Sequence, residues 1–182
     1  MTHKIEVVWK KTSPELEQEI TRFWVSEKAL SNEAAAMNRV KQSVCIARNE
    51  DGVLIAVSTA HPKLMPRLRQ LLYYYRTFVG AAHRNSKSIY PMSLASRQAL
   101  QEYTLALAQP ECIGAIVEFE NKALGEAYQF THDEQTKSYF FGYSPKGLKM
   151  HVTYFEGVQL QTPEQVKAAI KATGAIVPTA RG

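Results

Sequence analysis

Residues 72–108, LYYYRTFVGAAHRNSKSIYPMSLASRQALQEYTLALA, carry the pattern from which we predict the fold. The first segment, 72–79, is rich in aromatic and β-branched residues, which is typical of a β-strand. Both faces of this segment are largely apolar, so we expect a central strand that is covered on each side. Mostly apolar residues then recur at helical spacing from Ile89 to Leu107, which predicts an amphipathic helix.

The segment 80–88, GAAHRNSKS, joins this strand to this helix and consists mainly of small, hydroxyl and basic residues. Free N–H groups at a helix N-terminus, together with the helix dipole, favour a bound phosphate. Arg84 and Lys87 would add full positive charges at the same place. An ordinary connection with solvated basic residues has the same pattern, and the loop alone favours that interpretation.

Length and composition predict one globular domain. The chain has 182 residues, of which 45% are hydrophobic. We expect residues 1–160 to form the main body and residues 161–182 a C-terminal helix and tail of the same single domain. No apolar run approaches the ~20 residues that span a bilayer, so we predict no membrane segment. The net charge of +5 permits an anionic partner, either a nucleotide cofactor or a nucleic acid.

The cellular location is predicted from the N-terminus and the cysteines. The first residues, MTHKIEVVWKK, lack the apolar core and cleavage site of a signal peptide. Cys45 and Cys112 are far apart in strand-like surroundings, which favours buried thiols over a disulfide or a metal site. We therefore expect a cytoplasmic protein without a metal ion.

Caps, turns and periodicity predict the element order β-α-α-β-β-β-α-β-α-β-β, followed by one extra helix. Hairpins mixed with strand–helix–strand passages indicate an α/β fold of three layers, a mixed central sheet flanked by helices. We expect a loop at 61–66, HPKLMP, because two prolines interrupt the strand pattern. Thr162 and Gln165 predict a capping box for the last helix, and the tail 174–182 is expected to be frayed.

This element order resembles that of the GNAT (Gcn5-related N-acetyltransferase) superfamily over residues 5–155. Val79 and Arg84 stand at the interval between the family's strand end and the first residue of its [Q/R]-x-x-G-x-[G/A] motif. Asn121 and Tyr128 have the family's seven-residue spacing after the next strand. The segment 141–143, FGY, resembles the Gly-aromatic pair of the closing hairpin.

The resemblance implies an acyl-CoA-dependent N-acyltransferase, most simply one that moves an acetyl group from acetyl-CoA directly to an amine. In GNAT proteins the strand before the phosphate loop supplies an N–H group that polarises the thioester carbonyl. A tyrosine at the position of Tyr128 often protonates the leaving thiolate, and Glu118 is a candidate base. The implied contacts to acetyl-CoA or another acyl-CoA are Phe78, Val79, Arg84, Asn85, Ser86, Lys87, Ser88 and Asn121.

The sequence is also consistent with other roles for Tyr128 and Glu118, and with other candidates for the base. Tyr128 also fits a core tyrosine, and nine tyrosines occur in the chain. Glu118 and Glu120 also fit helix-capping or solvated carboxylates. His61 and His83 flank the central strand in predicted loops and have a suitable ordinary pKa. A route through water, without a dedicated base, is a further alternative.

Two loop positions depart from the family motif. Lys87 stands where the motif has glycine, and Ile89 where it has glycine or alanine. Side chains there would obstruct the approach of a pyrophosphate to the backbone. The segment 129–137 is also longer than usual. These departures motivate a second hypothesis, a catalytically inactive GNAT-like module that binds a CoA-like or nucleic-acid ligand.

The acceptor and the other partners are less specified. We expect the acceptor to be an amine on a small molecule, a protein or an RNA. The sequence leaves open whether the protein forms a homodimer. Segment 67–76, RLRQLLYYYR, interleaves basic and aromatic residues, as single-strand nucleic-acid binders do. Because its tyrosines alternate within a predicted central strand, packing explains most of them, and nucleic-acid binding is not favoured.

Overall fold

The computed structural model describes residues 3–30, 32–84 and 89–178. Five helices and eight strands are present in these ranges. In chain order they are β1 (Lys4–Val7), α1 (Pro14–Ser26), α2 (Glu33–Val40), β2 (Ser43–Arg48), β3 (Leu54–Met65), β4 (Gln70–Val79), α3 (Ile89–Ala106), β5 (Gly114–Glu118), α4 (Lys122–Ala127), β6 (His132–Asp133), β7 (Ser138–Tyr143), β8 (Lys149–Tyr154) and α5 (Pro163–Thr173).

The strands form one mixed sheet in the order β1-β2-β3-β4-β5-β8-β7-β6. β4 and β5 pair in parallel, whereas β1–β2, β2–β3, β5–β8, β7–β8 and β6–β7 are antiparallel. The predicted α/β class, with a mixed sheet flanked by helices and an added C-terminal helix, is confirmed. In the described ranges no helix is both long enough and apolar enough to cross a membrane.

Local capping signals place the helix starts correctly. The Ser13 side chain accepts the Leu16 N–H at the start of α1. Thr162 and Gln165 form the predicted capping box: the Gln165 N–H donates to Thr162 Oγ1 over 3.3 Å, and the Thr162 N–H donates to Gln165 Oε1 over 2.8 Å. A proline occupies the first turn of both helices, where its missing N–H group has no intrahelical partner to lose.

The chain divides into two compact units. The first consists of Met1–Ala60 and Arg76–Leu100, and the second of His61–Tyr75 and Gln101–Gly182. The core of the first unit lies between α1, α2 and the strands of that unit; its buried members are Val8, Ile20, Trp24, Ala36, Val40, Ile46, Leu54 and Val57. A core cluster of the second unit consists of Met65, Leu72, Tyr74, Ile113, Ile116, Met150 and Val152.

The predicted loop at 61–66 is wrong, because β3 continues to Met65. The prediction of a frayed tail at 174–182 is also wrong at Ile176, because this residue pairs with β3. The Leu64 N–H donates to Ile176 O over 2.9 Å, and the Ile176 N–H donates to Pro62 O over 3.1 Å. Pro62 therefore takes part through its carbonyl group, the one backbone hydrogen-bonding group that a proline retains.

The structure also bears on the predictions for the two cysteines, for segment 129–137 and for segment 67–76. Cys45 and Cys112 are free and buried, as predicted. The long segment 129–137 contains a short strand, β6, which was not predicted and which pairs with β7. In the basic and aromatic segment 67–76, Tyr73 and Tyr74 are buried, with 0% and 4% of their surface exposed. Their rings belong to the core, and they cannot serve as a stacking platform for bases.

Candidate functional site

The end of β4 and the turn after it form the first group of predicted site residues, all in the first unit. Val79 is buried, and the Phe78 ring packs edge-on against Phe23 with centroids 5.7 Å apart. The Gly80 N–H donates to Ile55 O over 2.9 Å. A Cβ on Gly80 would lie 3.2 Å from a Glu27 oxygen and 3.3 Å from the Phe23 ring. The strand end is therefore held firmly, and glycine suits the tight position that follows it.

Part of the predicted phosphate loop already has hydrogen-bond partners. A 3₁₀ turn, Ala81–His83, follows Gly80. The Ala81 N–H donates to Glu27 Oε2 over 2.8 Å, and the His83 N–H donates to Gly80 O over 2.9 Å. These two N–H groups are not free for a phosphate, and Glu27 places a carboxylate beside them. A phosphate contact in this connection would therefore come from residues after His83.

Arg84 and the start of α3 are better suited to an anion. Arg84 is exposed and forms no hydrogen bond or ion pair with any residue that the structure describes. The first turn of α3 contains no acidic residue, so nothing there opposes the positive end of the helix dipole. Four of the predicted cofactor contacts, Asn85, Ser86, Lys87 and Ser88, lie outside the described residues.

The ladder between β4 and β5 is short. It joins Tyr73–Tyr75 to Ala115–Val117, whereas β4 continues to Val79. β5 stays paired with β8 to its end, where Glu118 lies opposite Met150 and the Phe119 N–H donates to Lys149 O over 2.9 Å. Among the described residues, the backbone of 76–79, which includes the N–H groups of Phe78 and Val79, thus lies beyond the β4–β5 ladder.

Glu118, the candidate base, lies in the second unit with an unpredicted partner. The buried Tyr74 hydroxyl donates to its carboxylate. Burial raises the pKa of Glu118, but hydrogen bonds from Ser144 and Tyr74 and the charges of Lys146 and Lys63 outweigh it, so the pKa is lowered overall. Glu118 is therefore a carboxylate at neutral pH, more suited to attract an ammonium group than to remove its proton.

His61 and Lys63 are close to the same tyrosine. The rings of His61 and Tyr74 have centroids 5.5 Å apart, and Lys63 Nζ lies 4.3 Å from the centre of the Tyr74 ring. Both residues lie on the part of β3 that was expected to be a loop. Sequence reasoning missed Tyr74, which donates to Glu118, and Lys63, whose charge acts on Glu118, because the three residues lie on strands that are separate in the chain.

Tyr128, the candidate acid, ends α4, and its hydroxyl donates to Asp133. Thr136 Oγ1 and Ser138 Oγ each lie 3.4 Å from the same hydroxyl. Burial and the Asp133 carboxylate raise the pKa of Tyr128, so the phenol keeps its proton at neutral pH. It can act as a proton donor, but in this conformation the proton is directed at Asp133. Action on another atom requires the hydroxyl to leave that carboxylate.

His151 lies beside Tyr128 and was not among the predicted residues. It is 1% exposed, and its ring contacts the Tyr128 ring with centroids 4.9 Å apart. Its Nδ1 lies 3.5 Å from Ser138 Oγ. Burial and the Lys149 charge lower the pKa of His151, which keeps the imidazole neutral at pH 7. Alternation along β8 places His151 on the face of Lys149 and Thr153, so no sequence signal indicated that this residue is buried.

Asn121 has a structural role that can be seen directly. Its Oδ1 accepts the Leu124 N–H over 3.2 Å and caps α4. At the other end of α4, Lys149 Nζ donates to Gly125 O and Tyr128 O over 2.7 and 2.6 Å. Both ends of this short helix are thus fixed, and so is the position of the Tyr128 backbone. A contact between Asn121 and a cofactor stays a prediction.

No protein-family model and no curated protein sequence matches the chain. Several solved structures are similar to it in fold. A GNAT-family acetyltransferase from Listeria monocytogenes has a TM-score of 0.49 and 13% identity, with 84% of this chain and 95% of the other covered. The histone acetyltransferase HPA2 and related acetyltransferase from Corynebacterium glutamicum has a TM-score of 0.49 and 11% identity, with 88% and 100% covered. A GNAT-family acetyltransferase from Streptococcus pneumoniae has a TM-score of 0.46 and 10% identity, with 85% and 99% covered.

Apart from the short strand β6, the element order from β1 to β8 and the mixed sheet are those predicted from the sequence. The parallel β4–β5 pair and the strand–turn–helix passage from β4 to α3 are present as expected. The chain therefore has the α/β fold, a mixed sheet flanked by helices, that its element order predicts.

Proposed function

We propose that the protein is an acyl-CoA-dependent N-acyltransferase, most simply an acetyltransferase that acts on an amine. The observation that carries the proposal is the course of β4. This strand runs past its ladder with β5 and leads through Gly80 and Arg84 into α3. The N–H groups of Phe78 and Val79 would donate to the carbonyl oxygen of a thioester. The N-terminus of α3 would present the positive end of its helix dipole to a phosphate.

The residues present fit such a ligand in part. Arg84 and the start of α3 would hold its phosphates, while the N–H groups of Ala81 and His83 would not take part. Acetyl-CoA supplies an acetyl group that is activated as a thioester. The N–H of Phe78 or Val79 would orient and polarise the carbonyl, and Asn121 would contact the cofactor while it caps α4.

The proton chemistry is assigned to two groups in the second unit. Glu118, ionised and held by Tyr74, would attract the ammonium form of the acceptor and orient it. Removal of its proton would then fall to water, since a carboxylate with a lowered pKa is a weak base. Tyr128 keeps a proton that it could give to a leaving thiolate once its hydroxyl leaves Asp133.

One observation favours the second candidate function, an inactive GNAT-like module that binds a CoA-like ligand. The Tyr128 hydroxyl is engaged by Asp133, a residue of the segment that is longer than usual in the family. In this alternative the arrangement stabilises the fold around α4, and no proton reaches a thiolate. The two functions share ligand binding and differ in turnover.

Thermal unfolding with acyl-CoA ligands tests the binding step that both functions share. We expect acetyl-CoA or a longer acyl-CoA to raise the melting temperature. At 100 times its Kd, a ligand that binds only the folded state adds about 2.7 kcal/mol to the free energy of unfolding. A melting temperature that no CoA ester changes would contradict both candidate functions.

The Arg84→Ala variant tests the phosphate contact. Loss of a charge-assisted hydrogen bond should weaken acyl-CoA binding by roughly 1.5–3 kcal/mol, measured by titration calorimetry. The free energy of unfolding without ligand should hardly change, because Arg84 is exposed and has no described partner. Arg22→Ala, on an exposed part of α1 in the same unit, is the matched control and should bind as the wild type does. Equal affinity in the Arg84 variant would remove this residue from the site.

A further inference from the structure

The second unit contains a cavity of about 580 Å³ that is separate from the residues assigned to acyl transfer. Its walls are residues 109–111, which precede β5, the loop 157–162 and one face of α5. Ala168, Ala169 and Ala172 give this face small apolar side chains at helical spacing, and Val158 adds a further apolar contact. A cavity of this size suits a small organic molecule.

Glu111 is the only charged side chain among the described residues that line the cavity. It is half-buried, and it forms no salt bridge with any residue that the structure describes. Both of its oxygens accept a hydrogen bond from a tyrosine: Tyr73 donates to Oε2 over 2.9 Å and Tyr103 to Oε1 over 3.3 Å. The carboxylate is thus held in one orientation on the wall.

Both tyrosines keep their hydroxyl proton at neutral pH and can therefore donate to this carboxylate. Tyr73 is fully buried, and its hydroxyl also lies 3.5 Å from Thr104 Oγ1. Burial raises the pKa of Tyr73 and of Tyr103, so neither phenol loses its proton at neutral pH. Each carboxylate oxygen can accept a second hydrogen bond, and a carboxylate that is partly removed from water is normally paired with a cation.

We propose that this cavity binds a small organic cation, a primary ammonium or an amidinium, with its charge against Glu111 and its hydrocarbon part against the alanine face of α5. The N–H groups of the cation would donate to the carboxylate oxygens in charge-assisted hydrogen bonds. The alanines and Val158 would cover the hydrocarbon part and remove it from water. A neutral or anionic molecule of the same size would leave the carboxylate without a counter-charge.

This site does not depend on the proposed acyltransferase function, because binding requires neither acyl-CoA nor turnover. Titration calorimetry of the full chain at neutral pH would compare three ligands of equal length: n-butylamine, n-butanol and butyrate. We expect n-butylamine to bind at least about 10-fold more tightly than n-butanol, and butyrate to give no heat of binding. Equal affinity for n-butylamine and n-butanol, or no binding of n-butylamine, would overturn the proposal.

Two variants assign the binding to this cavity. Glu111→Gln should weaken n-butylamine binding by at least about 10-fold, whereas Glu164→Gln, at an exposed carboxylate of α5 that does not line the cavity, should leave it unchanged. Equal affinity in Glu111→Gln and in the wild type would overturn the proposal. Ala172→Phe places a ring at an exposed position on the cavity wall and leaves the Glu111 hydrogen bonds intact. It should therefore weaken binding at an unchanged melting temperature even if Glu111→Gln does not fold. Wild-type affinity in Ala172→Phe would also overturn the proposal.

Discussion

The Gly114→Ala variant should lose at least about 3 kcal/mol of the free energy of unfolding. Gly114 opens β5 and pairs with Tyr154 of β8. A Cβ at this position would lie 2.1 Å from Thr153 O and 2.9 Å from the Cα of Tyr154. Both contacts are to the backbone, which no side-chain rotation can relieve. The two strands would have to separate at the start of the ladder that leads to Glu118.

Gly125→Ala is the matched control for this substitution. Gly125 lies inside α4, and a Cβ there would meet the Phe119 side chain at 3.3 Å. Alanine also favours a helix over glycine, so the free energy of unfolding should change by less than about 1 kcal/mol. Thermal unfolding should therefore show a fall of about 6 °C or more for Gly114→Ala alone. A melting temperature within about 2 °C of the wild-type value for Gly114→Ala would contradict the argument.

The parts of the fold that were predicted correctly depend on local signals. The start of α1 depends on Ser13, and the start of α5 depends on Thr162 and Gln165. The segment before Gly80 has the aromatic and β-branched residues of a strand, and it becomes β4. The segment after Gly80 has apolar residues at helical spacing, and it becomes α3. Such signals act within a few residues, so they can be read without knowledge of the rest of the chain.

The parts that were missed depend on partners distant in sequence. Two prolines made 61–66 resemble a loop, yet the segment is a strand as far as Met65 because Ile176 supplies its hydrogen bonds. Likewise, the lowered pKa of Glu118 comes from residues of three other segments, including Tyr74. Periodicity and capping rules contain no information about pairing at that distance. The type of fold was therefore predictable, whereas the protonation behaviour of the site was not.

Tyr128→Phe should separate the two candidate functions. The variant keeps the ring, which packs against Phe119 and His151, and removes the hydroxyl that donates to Asp133. A general acid contributes typically 10²–10⁴-fold to a rate. If Tyr128 protonates the thiolate, release of free CoA with a productive amine should therefore fall at least ~10-fold, while the affinity for acyl-CoA stays unchanged.

The structural role predicts the reverse for the same variant. Loss of the hydrogen bond to Asp133 would lower the free energy of unfolding by about 1 kcal/mol, and the folded fraction would keep its turnover. Tyr139→Phe is the matched control, because Tyr139 is exposed on the neighbouring strand β7 and is assigned no chemistry. It should change neither turnover nor stability, so any general effect of removing a phenol hydroxyl would be detected.

Asp133→Asn shows how the two roles are connected. Asp133 accepts a hydrogen bond from the Tyr128 hydroxyl, and together with burial it raises the pKa of the phenol. An amide in its place is neutral and holds the hydroxyl less strongly, so the phenol is freer to turn toward another acceptor. If Tyr128 is the general acid, turnover in Asp133→Asn should equal or exceed that of the wild type, and it should fall again in the double variant with Tyr128→Phe. Turnover that stays at the wild-type level in both Asp133→Asn and the double variant would assign the pair to a hydrogen bond of the fold. In that case the Tyr128 proton serves the fold around α4, and the acid of the reaction must be sought elsewhere.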